Sequence, residues 1–500
     1  MSLLGLDIGT TGCKAMVFSR DGEILGRAYR EYSIATPHTG WAEQDGEEVF
    51  RFACECIAEA AYSAHSDPIE ALALSCQGEA VAPIDHAGRP MRPFILGMDT
   101  RTVKENIELE ERFGAERLFQ ITGMPMHTIN TLPKLLWLQK NEPDIWRNAA
   151  RFCLYEDFII NRLCGRPMIS ACLASRTQLF DLRAGRWSET ILDACGIDPH
   201  RISPVANEKE FLTTLPIWQK LGLKGAVKVF AGGHDQACAA LGAGVVNPGQ
   251  AMVSTGTAEV VEVVTATANL DDSLRRGGIS VYRHVVPGRY VAMTLNHSGG
   301  LSLRWFRDVL GTSEVETAKK MNRDAYDLLL ENAPQGPSEL FVLPHFSGSG
   351  TPTLDVHSRA AFLGLTFRTR KADIAKALLE GLTFELEQNL ALLRDAGIEI
   401  RELRAVGGGA KSDLWLQLKA DICRVDVQRL KVTDAACLGA ALAAGNGCGI
   451  YKAVEDGIRL HVALDRRFEP DSVRMQQYRQ RMQLYRQIYP LLKNFFHQLT

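Results

Sequence analysis

Five hundred residues exceed what one hydrophobic core ordinarily organises, so the chain should fold as at least two domains with a site in the cleft between them. A formal charge of -3, with acids and bases interspersed, supplies no basic field for nucleic acid. No apolar run approaches the roughly twenty residues that span a bilayer, no basic, cleavable leader precedes the first strand, and twelve cysteines without a C-x-x-C pair read as reduced thiols, which points to the cytoplasm.

In chain order, LLGLDIGTTGCKAMVF opens on two apolar runs, Leu3 to Leu6 and Cys13 to Phe18, with Asp7, Gly9, Thr10, Thr11 and Gly12 between them. Asp21-Gly22 is a hairpin turn signal leading to a third strand. A strand follows this loop, which excludes a dinucleotide fingerprint and a Walker A loop, since both need a helix there. Glycines let the backbone approach a phosphate, successive N–H groups make an anion nest, and Asp7 would serve a magnesium ion. The alternative is an ordinary Gly-Thr turn with Asp7 solvated.

Next, ALALSCQGEAVAPID and GRPMRPFILGMDTR place Gln77, Glu79, Asp99 and Arg101 at the ends of apolar runs, where polar groups converge on a cleft. Such groups suit a polyhydroxylated ligand; the alternative for Asp99 and Arg101 is a surface ion pair. In VFAGGHDQACAALGAG a strand from Val227 to Ala231 and a Gly-Gly turn set Asp235 at the mouth of a small-residue helix. The helix dipole favours its charged form, so Asp235 reads as ionised at pH 7 and as a candidate base, with an N-cap as the alternative. His234 reads as a packed turn residue. QAMVSTGTAEVVEVV, from Gln250 to Val264, repeats the opening theme near the midpoint, and Gly242, Gly244, Pro248 and Gly249 mark a joint, giving domains of 1–246 and 247–500. Gly407-Gly408-Gly409 then forms a strand-to-helix turn able to receive a phosphate or floor a nucleobase. Val473 to Leu492 has helical period, with Pro490 expected to disrupt it.

These motifs together resemble the FGGY carbohydrate kinases, the group that includes xylulokinase, gluconokinase and glycerol kinase, over nearly the whole chain. GWAEQD (Gly40 to Asp45) is similar to the family's early Trp-x-Glu-Gln stretch, KLLWLQKNEP (Lys134 to Pro143) to its first signature, and AAFLGLTFRTRKADIAKALLEG (Ala360 to Gly381) to its second. Ile129 and Leu378 depart from those signatures. The resemblance implies an α/β protein of two actin-like, ribonuclease H-like domains, with mixed sheets flanked by helices, closing on ATP and Mg2+. Carried over by residue, Asp7 would organise the metal, and Thr10, Thr11, Lys14, Thr255, Gly256 and Thr257 would hold phosphates. Gly408, Gly409 and Ser412 would line the adenosine site, Asp235 would be the base, and Gln236 would help bind the sugar with Gln77, Glu79, Asp99 and Arg101. The resemblance leaves room for a homodimer.

For the substrate, xylulokinases and gluconokinases carry Gln-Met-His-Gly where this chain has Gln77-Gly78-Glu79-Ala80, and glycerol kinases carry Gln-Arg-Glu-Thr. Gly97 replaces a family tryptophan. Gly78 and Gly97 should enlarge the pocket, and a carboxylate at 79 should disfavour a sugar acid by about 1 kcal/mol or more. The reading is an ATP-dependent kinase of a neutral ketopentose such as D-xylulose. The alternatives are a glycerol, erythritol or other polyol kinase, or a non-catalytic actin-like nucleotide-binding module. A sugar-sensing regulator finds no helix-turn-helix segment or basic face to support it.

Overall fold

The structure, a computed structural model, describes residues 2–432 and 434–499. Two mixed sheets organise it. The first contains β1 (Ser2–Ile8), β2 (Gly12–Phe18), β3 (Ile24–Glu31), β4 (Ile69–Cys76), β5 (Phe211–Thr213) and β6 (Lys228–His234), in the order β5-β6-β4-β1-β2-β3. The second contains β7 (Gln250–Thr255), β8 (Glu259–Thr265), β9 (Ser280–Arg283), β10 (Tyr290–Asn296), β11 (Glu402–Val406), β12 (Asp426–Leu430) and β13 (Leu464–Phe468), in the order β9-β10-β8-β7-β11-β12-β13.

Both sheets repeat one plan: an antiparallel hairpin whose leading strand also pairs in parallel with a later strand, β1 with β4 and β7 with β11. The leading strands are covered on both faces, which is why they read as near-continuous apolar runs. Leu3, Leu4, Leu6 and Ile8 are fully buried, as are Ala251, Met252 and Val253.

Two helices join the halves at backbone distance. α1 (Asp235–Gly242) follows β6, and α2 (Ala435–Gly447) crosses it. A Cβ on Gly439 would stand 1.8 Å from the Cys238 carbonyl oxygen, and one on Gly242 would stand 1.9 Å from that of Ala435. Only glycine permits this approach. The C-terminal helix α3 (Ser472–Gln498) runs straight through Pro490, against the expected break. One backbone hydrogen bond is lost there, but Tyr478, Met482, Tyr485, Ile488 and Phe496 are buried on both sides of the proline and hold the helix down.

Candidate active site

The first loop is fixed from behind. Tyr32 Oη donates to the Gly9 carbonyl at 2.5 Å, Gln77 Nε2 to the same oxygen at 3.2 Å, Gln44 Nε2 to the Thr10 carbonyl at 2.9 Å, and the Tyr32 N–H to the Thr11 carbonyl at 3.2 Å. Gln44 is itself held by Tyr155 at 2.9 Å. Carbonyls tied inward leave the loop in the posture an anion nest requires. Gln77 thus braces the loop, buried, instead of presenting its amide to a sugar. Asp7, the penultimate residue of β1, accepts from Ser75 Oγ at 2.6 Å, and burial pushes its carboxyl up to about 6.

The second loop is braced by charge. Thr255 Oγ1 donates to Glu259 Oε2 at 2.7 Å and accepts from Lys419 Nζ at 2.8 Å, while Lys419 and Glu259 form an ion pair that is almost wholly buried. The Thr255 hydroxyl is therefore spoken for, and of the expected set Gly256 and Thr257 are the exposed members. Gly407 and Gly408 are exposed beside this loop, whereas Gly409 turns inward, where a Cβ would meet the Thr255 side chain at 2.7 Å. Ser412 caps the next helix, accepting from the Trp415 N–H at 3.3 Å. Its place in the sequence is that of an N-cap, and its hydroxyl oxygen does that work here.

Asp235 is the first residue of α1, with His234 in the cap position, so the carboxylate is not consumed in capping. It shares a cavity of about 230 Å³ with Asp7, Lys14, Gln236, Ser254, Gly407 and Asp434. Strand ends from both sheets meet there. Burial, and then the neighbouring Asp7 charge, push the Asp235 carboxyl up to about 7. This corrects the expectation of full ionisation at pH 7: desolvation outweighs the helix dipole. Lys14, from β2, is ion-paired to Asp434 across the cavity.

The residues expected on the sugar side divide. Asp99 and Arg101 bind each other: Arg101 donates to Asp99 from its backbone N–H and Nε at 2.9 Å and from Nη2 at 2.7 Å, and the Ala42 N–H reaches Asp99 at 2.6 Å. The guanidinium lies 3.6 Å from the Trp41 ring centre and 2.7 Å from Glu43. This is a buried network, neither the surface pair nor the open sugar contact that the sequence suggested. Glu79 is buried with a left-handed φ of 61°, and Oε1 accepts from Arg176 Nε at 2.7 Å. That partner neutralises the carboxylate and removes the charge argument against a sugar acid. A Cβ on Gly78 would lie 2.9 Å from His234 Cδ2, so the imidazole, not a void, fills the space beside Gly78. Gly97 is likewise lined: a Cβ there would stand in ordinary contact with Ile129 Cγ1 at 3.4 Å and Glu79 Oε2 at 3.5 Å, so no open space marks the place of the missing side chain.

Sequence reasoning missed Arg176, Lys419, Glu259, Asp434 and Glu262. The signals were present in two of them. Glu262 is a lone acid within VVEVV, residues 260–264, and Lys419 sits among the apolar positions of its helix; a charged residue at a core position announces a partner.

Comparison with known proteins agrees with this architecture. A xylulose kinase of Staphylococcus epidermidis is 31% identical over 98% of this chain and 97% of its own, and an autoinducer-2 kinase of Enterobacter sp. is 31% identical over 97% and 94%. The crystal structure of xylulose kinase from Rhodospirillum rubrum superposes with a TM-score of 0.90 at 26% identity, covering 99% of this chain and 100% of that one. Residues 2–242 match the N-terminal domain, and residues 251–448 the C-terminal domain, of one family. With its twin hairpin sheets and a carboxylate at the cleft, the chain belongs to the FGGY family of carbohydrate kinases.

Proposed function

We propose that this carbohydrate kinase transfers the γ-phosphoryl group of ATP to a hydroxyl of a small neutral sugar, a ketopentose such as D-xylulose, with domains divided at residues 246 and 247. The observation that carries the chemistry is Asp235, emerging at the first turn of α1 into the cavity lined by Asp7, Lys14 and Gly407. Asp235 takes the proton of the sugar hydroxyl as that oxygen bonds to phosphorus. In phosphoryl transfer most of the acceleration comes from alignment and charge neutralisation, so the base needs position more than basicity. The loops at 9–11 and 256–257, with Gly408, receive the phosphates. Gln236, whose buried Oε1 has no hydrogen-bond partner among the described residues, is placed to accept from a sugar hydroxyl beside Asp235.

Asp7 fits a Mg2+ ion. Its carboxyl is raised by burial and faces a cavity sized for phosphate, the donor set that Mg2+ completes with water and phosphate oxygens. When bound, the ion would neutralise charge on the transferring phosphates. Closure of the two lobes would expel water, so ATP hydrolysis without sugar should be weak and should rise steeply with the right sugar.

The ketopentose reading is supported by the xylulose kinases among the relatives. The test is ADP production with D-xylulose, other ketopentoses, erythritol, glycerol and gluconate. Turnover on a ketopentose is expected, and faster turnover on gluconate would overturn the neutral-sugar reading. Asp235→Ala should lower kcat about 10²- to 10⁴-fold while ATP binding survives. Retained turnover in that variant would remove Asp235 as the base.

A further inference from the structure

Glu79 is held in a conformation it would not choose. Its φ of 61° lies in the left-handed region, which residues other than glycine seldom adopt and which persists only where the surroundings enforce it. Two donors pin its carbonyl, Thr131 Oγ1 at 3.1 Å and Lys134 Nζ at 3.3 Å, and the same buried lysine donates to the Ile129 carbonyl at 2.5 Å. Arg176 pins the side chain: Nε donates to Oε1 at 2.7 Å, and Nη2 is ion-paired to the same oxygen. Arg176 is 2% exposed and Glu79 is 3% exposed.

The other partners of Arg176 belong to the second sheet. Nη1 donates to Ser280 Oγ at 2.7 Å, and the guanidinium lies 4.7 Å from the Tyr282 ring centre; both residues stand on β9. With all three nitrogens engaged by the protein, Arg176 acts through Glu79 and not on a ligand. What it leaves open is Glu79 Oε2. No described residue donates to that oxygen, and it is not sealed in: it lies beside Gly97 and Ile129, which are half-buried. The proposed base is close by. A Cβ on Gly78 would stand 2.9 Å from His234 Cδ2 and 3.8 Å from Arg176 Nε, and Asp235 follows His234.

We propose that Arg176, anchored on Ser280 and Tyr282 of the second sheet, is a positioning residue for sugar recognition: by taking Glu79 Oε1 it fixes Oε2 as the hydrogen-bond acceptor for a sugar hydroxyl. The proposal rests on the kinase reading given above and adds a polarity to the sugar side of the cleft. An ionised carboxylate offers acceptors alone. Its charge is tolerable in a nearly dry setting because Arg176 matches it from behind. A hydroxyl that donates to Oε2 is held there, whereas an analogue lacking that hydroxyl leaves the oxygen desolvated and unpaired. Because Ser280 and Tyr282 come from the second sheet, contacts from both halves of the chain set this acceptor.

The experiment reads KM for the sugar and KM for ATP separately in full-length variants, with D-xylulose or the fastest of the other ketopentoses as the probe. In Glu79→Gln the amide carbonyl must face Arg176, since two donors cannot pair, and its NH2 group takes the place of Oε2. An acceptor becomes a donor, so the sugar KM should rise about 10- to 100-fold with KM for ATP unchanged. Combining Glu79→Gln with Arg176→Met strands no charge and frees the amide to turn its carbonyl outward. The sugar KM should then fall below that of Glu79→Gln alone. Ser280→Ala, which removes one anchor and no charge, should raise the sugar KM severalfold and leave KM for ATP alone. An unchanged sugar KM in Glu79→Gln would overturn the proposal, as would a double variant at or above the single one, or a Ser280→Ala enzyme whose two KM values rise together. Wild-type enzyme that turns over no sugar would instead sink the kinase reading, before any variant is compared.

Discussion

The penultimate residue of the leading strand is Asp7 in the first hairpin and Ser254 in the second, and both line the same cavity. Behind these residues the two hairpins part ways. Neutral donors brace the loop after β1: the Tyr32 hydroxyl and the Gln44 and Gln77 amides. A buried ion pair, Lys419 with Glu259, braces the loop after β7. The first hairpin therefore spends its charge on the cleft, and the second keeps its charge inside.

This contrast can be broken most sharply at Lys419. Lys419→Met should strand Glu259 as an unpaired buried charge and cost about 3–5 kcal/mol of stability, read as a lowered denaturant midpoint. Asp7→Asn is the converse case: turnover should collapse while the fold holds. Its stability also carries a sign. The folded-state value of about 6 lies above the 3.8 of an unfolded aspartate, so the contribution of Asp7 to stability is whole below pH 3.8 and is lost as pH rises through 6. Without ligand, Asp7→Asn should therefore gain on the wild type in thermal stability between pH 4.5 and pH 7, about the two ends of that window. Equal differences at both values would mean that Asp7 carries no such burden.

The finest cut compares two threonines. Thr255→Val removes the hydroxyl between Lys419 and Glu259 and should cost about 1 kcal/mol of stability, with little change in KM for ATP. Thr11→Val, on the exposed loop, should leave stability alone and raise KM for ATP. Reversed outcomes would mean that the second loop binds through that side chain and the first does not.

Much of the site was legible because its signals are local. Glycine and threonine between two apolar runs mark a hairpin loop within about five residues. A strand, two glycines and Asp235 before a small-residue helix fit within about ten. Other readings failed where partners are remote. Nothing near Glu79 in sequence foretells Arg176, and Lys14 meets Asp434 from the other end of the chain. The break expected at Pro490 failed for a related reason, since the burial that keeps α3 continuous comes from residues remote in sequence, among them Val342, Phe384 and Trp415, which no local rule sees.

The amino-acid sequence by itself determined the two hairpins, the strand-to-helix mouth at Asp235 and the family pattern, because backbone conformation answers to neighbours along the chain. Only the tertiary structure decided the electrical state of the site. It set which carboxylates are paired and which are raised by burial. Desolvation and pairing depend on what surrounds a group in space, and the chain fixes those surroundings only once both domains are folded together.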